Sequence, residues 1–367
     1  MYSTTHCYVT AMQPDAIELI LGNSNKRFSG VTSTMLQVLP YQQKKAGIAV
    51  LGSHHMPTDV PTLSFLQFIR LCKKPLSDGR YRVFHARRND EMIQALVAKK
   101  IFGAKIKIAF TSTAQRSHSG FSRWLMRQMD AIISTCNAAA SYLIERKPDI
   151  IIPHGVDITT YRPAISRQDA WREIGLPGNY GIGAFGRVRH SKGIDILVQA
   201  SIPLLAKFPD ATVVICGECI ARDQPFLHKL QEQIKTANLS ERFIFLGERP
   251  FTELPALFQS MSIVTALSRE EGFGLTPLEA MASGTAVLTS EAGAWQDIIR
   301  NGIDGYCVPT DDVEAVKSKL NAMLSDLDAT HKMGMTGRQH MVEQYTVEQE
   351  AEELNHFLKN LSSVQKH

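Results

Sequence analysis

No apolar run in the 367 residues approaches the roughly 20 that a membrane-crossing helix needs. Met1–Thr10 has neither the basic stretch nor the apolar run of a secretory leader. The expectation is a protein that is not secreted by that route and does not itself span a membrane. Low-complexity tracts and fixed-period repeats are also missing, which argues against a disordered chain or a solenoid. The six cysteines are scattered, and only Cys216 and Cys219 lie close, as Cys-Gly-Glu-Cys. No second ligand pair is spaced for zinc, so the first reading is thiols at a buried strand end in a reducing compartment, with a redox or metal site as the rival. The one Asp-x-Asp, Asp326-Leu-Asp328, falls in a helical tail outside any strand-end loop and reads as a solvated surface pair.

The first 165 residues are short of acid. They hold 21 Lys+Arg against 10 Asp+Glu, a net of +11, and the remainder nets −7. Such a split suggests that the first half meets an anionic surface, nucleic acid or anionic lipid. No zinc-finger spacing and no basic strand rich in aromatics supports nucleic acid.

A chain of this length favours two domains. Apolar runs at Ala16–Leu21, Gly47–Gly52, Tyr81–His85, Lys105–Thr111, Ala131–Thr135 and Asp149–Pro153 alternate with helical stretches such as Ser33–Lys45 and Asp90–Ile101. A polar segment from about Asp157 to Asn179, with Pro163 and Gly175-Leu176-Pro177-Gly178, reads as a linker. The alternation resumes from Gly181–Gly186 to Gly305–Val308, followed by a helical tail ending in Gln365-Lys366-His367. The expected architecture is α/β: two doubly wound domains, residues 1–165 and 166–345, facing a central cleft, with a helix over 346–367 able to pack back on the first domain.

Gly181-Ile-Gly183-Ala-Phe-Gly186 matches G-x-G-x-x-G. Its glycines lie within the strand, however, and the next strand ends near Glu218, too far on for the acidic residue of a dinucleotide site. Gly186-Arg187-Val188-Arg189-His190-Ser191-Lys192-Gly193 says more. A glycine turn, flanking cations and a glycine opening a helix can cradle a diphosphate, although a solvated basic loop has the same composition. In Ser268–Ser290, Glu271 and Glu279 are eight positions apart, with the flexible Gly272-Phe273-Gly274 and the helix start Thr276-Pro277 between them. These two carboxylates can grip vicinal hydroxyls. The rival reading pairs Glu279 with a neighbouring cation and leaves the glycines as turn residues.

Gly-Arg-x-x-x-x-Lys-Gly followed by Glu-Gly-Phe-Gly-Leu-Thr-Pro-Leu-Glu-Ala-Met-Ala-Ser-Gly resembles the retaining glycosyltransferases of family four, with the GT-B fold of two Rossmann-like domains. Ile152-Pro153-His154-Gly155-Val156-Asp157 resembles the family's segment ending the first domain, where Asn is commoner than His154. Ser29-Gly30-Val31-Thr32 resembles its N-terminal glycine loop, with Ser29 where a second glycine is usual. The resemblance implies that Arg187 and Lys192 hold the donor diphosphate next to Gly186, and that Glu279 binds the donor ribose. It implies that Glu271, with Gly272, Phe273 and Gly274, contacts the transferred sugar, and that Gly30 lets its loop approach the phosphate.

In the first domain His118, displaced from the family's usual place, is a candidate active-site residue or a surface histidine. Arg87 and Arg88, after the Tyr81–His85 strand, and Arg116 are candidates for binding a carboxylated acceptor. His54-His55 is a weaker candidate. The chain looks most like lipopolysaccharide core mannosyltransferases of Gram-negative bacteria, on its Ala-Gln-Arg-x-His and His-Gly-Val-Asp stretches. That implies a GDP-mannose donor, an acidic inner-core sugar on lipid A as acceptor, no metal requirement, no nucleic-acid partner, and a peripheral place on the anionic cytoplasmic face of the inner membrane. A UDP-sugar donor in another envelope polysaccharide pathway is the alternative. The alternative of another class is a nucleotide-sugar-binding protein without catalysis.

Overall fold

The structure, a computed structural model, describes residues 13–26 and 29–363. The readings placed on Met1–Thr10 and on Gln365-Lys366-His367 lie outside the described residues. The chain divides into two compact units. One holds the chain up to Pro153 together with Val347 onward; the other is His154–Thr346.

Among its described residues the first unit has seven strands: β1 (Leu19–Gly22), β2 (Ile48–Leu51), β3 (Thr62–Leu63), β4 (Arg82–Ala86), β5 (Ile106–Ser112), β6 (Ala131–Ser134) and β7 (Ile150–Ile151). They form one parallel sheet in the order β3-β2-β1-β4-β5-β6-β7. Helices α1 (Gly30–Gln43), α2 (Phe65–Cys72), α3 (Asn89–Lys100), α4 (Gly120–Arg127) and α5 (Asn137–Ser141) connect them. A parallel sheet covered on both faces needs strands that are apolar on both sides. Alternation then sorts the side chains. Leu19, Leu21, Ile48 and Val50 share a core with Met35, Val38 and Leu39 of α1. Ile20, Ala49, Leu51 and Phe84 pack with Phe68 of α2, Met92 of α3 and Leu125 of α4.

The second unit is a parallel sheet of β8 (Tyr180–Phe185), β9 (Ala211–Cys216), β10 (Phe243–Gly247), β11 (Met261–Ala266), β12 (Ala286–Ser290) and β13 (Gly305–Val308), in the order β10-β9-β8-β11-β12-β13. Its helices are α6 (Arg167–Glu173), α7 (Ile194–Lys207), α8 (Gln224–Thr236), α9 (Leu254–Ser260), α10 (Thr276–Ala282), α11 (Trp295–Ile298), α12 (Val313–Ser325) and α13 (Leu327–Gln344). A last helix, α14 (Val347–Ser363), belongs to the first unit. Its Val347, Ala351, Leu354 and Leu358 complete the core around α1. There Gln42 Nε2 donates to Asn355 Oδ1 at 3.1 Å, and Asn355 Nδ2 donates back to the Gln42 carbonyl at 3.0 Å.

Two details differ from the sequence reading. The division falls after Pro153, not after Ile165. The segment read as a linker also contains α6, capped by the Ser166 hydroxyl, which accepts from Asp169 N at 3.2 Å. This short helix buries Ala170 and Trp171, and Trp171 Nε1 donates to the Gly178 carbonyl at 3.0 Å. The Pro and Gly cluster marks local turns, while one buried Trp anchors the segment to the second unit. Asp326 of the Asp-x-Asp caps α13, accepting from Ala329 N at 2.8 Å.

Candidate functional site

In the second sheet the strand order reverses between β8 and β11, the place where doubly wound folds bind ligands beyond the strand C-termini. A narrow cavity lies there, lined among others by Phe185, Lys192, Ile194, Ser268, Glu271 and Trp295. Backbone geometry builds it. Gly186 turns the chain off β8 with φ +131°, and its N–H donates to the Cys216 carbonyl at 2.9 Å. Gly193 adopts the left-handed conformation (φ +66°), and a Cβ there would stand 1.9 Å from the Leu267 carbonyl oxygen. It caps α7, whose first N–H groups lack intrahelical acceptors and favour an anion. By contrast, Gly181 and Gly183 are packing residues inside β8: a Cβ would meet the Trp171 ring at 2.3 Å or the Phe185 ring at 2.7 Å. That accounts for the G-x-G-x-x-G pattern without a dinucleotide loop.

Across the cavity the Lys192 ammonium pairs with the Glu271 carboxylate. Arg187 projects from the same turn and is exposed. The loop carrying Glu271 is braced from several sides. Arg269 makes a fork onto Asp195 of α7, Nη1 and Nη2 each at 2.9 Å. Its Nε also reaches Asp311 at 2.6 Å, and its N–H donates to the Ser191 carbonyl at 2.9 Å. Gly274 has φ +86° and no room for a Cβ beside the Trp295 indole, whose Nε1 donates to the Gly274 carbonyl at 2.9 Å. Ala294 N donates to the Phe273 carbonyl at 3.0 Å, and Phe273 itself is buried, edge-on to the His154 ring at 4.9 Å.

Glu279 sits one turn into α10, and burial pushes its carboxyl up to about 7 against the opposing hydrogen bond from the Tyr161 hydroxyl. Burial, with Glu279 and Asp157 nearby, raises the Tyr161 phenol in turn and keeps it a donor. The sequence reading missed Tyr161, Asp195, Arg269 and Trp295. Arg269 stands inside the Ser268–Ser290 segment, but its partner is 74 positions away.

In the first unit the two arginines after β4 differ. Arg88 is committed internally: Nη1 donates to Glu91 Oε1 at 2.9 Å, and Nη2 to Ser29 Oγ at 3.0 Å and Thr32 Oγ1 at 2.8 Å. Glu91, fully buried, also accepts from the backbone N–H groups of Arg87 and Arg88 at 2.7 and 3.1 Å. Arg87 is enclosed enough that burial lowers its guanidinium pKa, with Glu91 and Glu350 opposing that shift. The buried Glu91 carboxylate and the α1 N-terminus thus occupy Arg88, whereas Arg87 Nη1 is buried without a hydrogen-bond partner, so Arg87 stays a candidate for an acceptor. Gly30 opens α1 directly, and a Cβ on it would meet no protein atom within 4 Å.

Arg116 is exposed in the loop after β5. In the same loop His118 lies 3.5 Å from Ser112 Oγ, and burial, then Arg116 and Arg123, hold its imidazole below the ordinary value, hence neutral at pH 7. His54 and His55 occupy a turn after β2, where Asn23 Nδ2 donates to the His54 carbonyl at 2.6 Å and His55 Nε2 lies 2.8 Å from the Lys26 carbonyl. Cys216 ends β9 with its thiol pKa raised by burial, and Cys219 follows in the next turn.

Residues 171–340 match the family described as Glycosyl transferases group 1. The chain is 39% identical over 336 residues to the lipopolysaccharide core biosynthesis mannosyltransferase LpcC of Rhizobium leguminosarum bv. viciae, covering 91% of this chain and 94% of that one. It is 37% identical over 340 residues to LpsB, of the same description, from Rhizobium meliloti, covering 91% and 95%. The solved C-terminal domain of LpcC from Francisella tularensis is 38% identical with TM-score 0.51, over 52% of this chain and 99% of that domain. Anabaena Alr3699/HepE, solved with UDP, superposes with TM-score 0.78 over 94% of this chain and 100% of its own, at 18% identity, a likeness of fold. With both domains of the GT-B architecture in place and identity running through nearly the whole of two named relatives, the chain belongs to the group 1 glycosyl transferases and is a glycosyltransferase.

Proposed function

We propose that this enzyme transfers mannose from GDP-mannose, with retention of anomeric configuration, onto an inner-core sugar of lipopolysaccharide at the cytoplasmic face of the inner membrane. The observation that carries the reading is the similarity to LpcC and LpsB over 91% of the chain, first unit included. Arg187, Lys192 and the N-terminus of α7 would receive the diphosphate next to Gly186, and Glu279 would take the ribose hydroxyls. Glu271 would take the transferred sugar beside Gly272, Phe273 and Gly274. Glu271 pairs with Lys192. An incoming diphosphate competes for the ammonium and frees the carboxylate for sugar hydroxyls.

The chemistry then rests on fixed cations and N–H dipoles that stabilise the departing diphosphate and an oxocarbenium-like sugar, without a required metal. Neutral His118 is a hydrogen-bond acceptor for the incoming hydroxyl, and exposed Arg116 a cation for an acidic acceptor.

The test is thermal unfolding with GDP, UDP, ADP, GDP-mannose and UDP-glucose in the presence of chelator. A ligand at a hundredfold its Kd stabilises by about 2.7 kcal/mol. Shifts confined to the guanine compounds are expected, followed by mannosyl transfer whose product anomer is read by NMR. A shift confined to the uracil compounds would overturn the donor, and an inverted product would overturn the stereochemistry.

A further inference from the structure

Helix α4 carries apolar side chains on both faces. Ser122, Leu125 and Met126 point into the core, as the 3.6-residue period requires. Phe121 and Trp124 point outward, 55% and 47% exposed, their rings stacked at 6.0 Å and 17°. No core contact explains two aromatic rings there. The segment after α5 adds exposed Tyr142 and, at 80% exposure, Ile144. The two segments form one surface, because Arg123 and Arg127 of α4 both pair with Glu145, at 3.1 and 3.0 Å. Residues 113–128 hold three arginines and no acid, and residues 141–148 add Arg146 and Lys147 against Glu145 alone.

We propose that this face of the first unit, centred on Phe121, Trp124 and Ile144 with Arg123, Arg127 and Lys147 around them, is where the enzyme docks on an anionic lipid bilayer. Rings at the carbonyl level, cations at the phosphates and one aliphatic side chain reaching further match the headgroup zone. Nucleic acid fits less well. The two rings stack on each other rather than standing apart to receive bases, and Ile144 adds nothing to base stacking or phosphate contact. The inference deepens the reading of a lipid-anchored acceptor and rests on it for its purpose, but it is tested separately.

The chain's three tryptophans supply a reporter. Trp171 and Trp295 are 2% and 1% exposed, so a change in emission on adding vesicles reads Trp124. The full chain is mixed with vesicles of phosphatidylethanolamine and phosphatidylglycerol, and with vesicles of phosphatidylcholine. A blue shift and co-sedimentation with the anionic vesicles, weakened by salt, are expected. Trp124→Ser/Ile144→Ser should reduce sedimentation by at least about tenfold while keeping the wild-type thermal shift with GDP. Wild-type protein that ignores anionic vesicles, or a double variant that still binds them, overturns the proposal. Quenching of Trp124 by polyuridylate but not by vesicles reassigns the face to nucleic acid, and self-association abolished by the double variant reassigns it to a second copy of the chain. Vesicle binding without any nucleotide shift would sink the donor reading and leave the docking face standing.

Discussion

Arg269 and Asp195 meet as a two-pronged ion pair, each prong 2.9 Å long, which pins the loop before Glu271 to the first turn of α7. Both partners are largely shielded from water, so the pair is worth more than a surface salt bridge. It sets the spacing between the Lys192 turn and the Glu271 loop.

Arg269→Ala should lower stability by about 1.5–3 kcal/mol and raise the donor KM. Arg269→Lys should recover little of either, since an ammonium cannot reproduce the fork onto Asp195 with a third arm to Asp311. Thermal unfolding and steady-state kinetics check this. A lysine variant that behaves as wild type would show that charge alone suffices.

Lys192→Ala and Arg187→Ala should each cut turnover by roughly 100- to 1000-fold with folding retained. The unfolding midpoint distinguishes lost catalysis from lost fold. Near-normal turnover in both variants would remove the diphosphate assignment.

Glu279 should make nucleotide affinity pH-dependent. Its carboxyl titrates near 7 because of burial, so in the free enzyme it is largely protonated at lower pH. If the ionised form accepts ribose hydroxyls, GDP binding strengthens as pH rises through about 7, with proton release on binding at about pH 6–7. Calorimetry in two buffers of different ionisation enthalpy measures that proton. Because the folded-state pKa is raised, the group's contribution to stability is full below about 4.5 and is lost as pH climbs through about 7. Glu279→Gln should abolish both dependences.

Arg88→Ala strands a fully buried carboxylate, Glu91, and frees the N-terminus of α1. Removing one partner of such a pair costs about 3–5 kcal/mol. Arg88→Ala/Glu91→Gln should recover much of that loss, and denaturant unfolding of the three variants tests it. A single variant as stable as wild type would return Arg88 to the pool of cations available to an acceptor.

The alternation of apolar runs with helical stretches was enough to place both parallel sheets, because strands buried on two faces must be apolar throughout, as the IAVL of β2 is. The placement of Gly186, Lys192 and Glu271 in turns after strands, and of Glu279 one turn into a helix, was legible because turn and helix-start signals are local in sequence. Short or polar elements were not: β3 is two residues long, and α6 hides one buried Trp among charged neighbours. Only the tertiary structure decided which charges were free. Arg88 and Arg269 look like any exposed arginine in sequence, yet partners 59 and 74 positions away occupy them. The sequence by itself determined the two sheets and the turns at their strand ends, since periodicity and turn residues act over a few positions. The ion pairs, the Tyr161–Glu279 hydrogen bond and the outward stack of Phe121 on Trp124 were decided by folding, because each depends on which distant surfaces burial brings together or leaves uncovered.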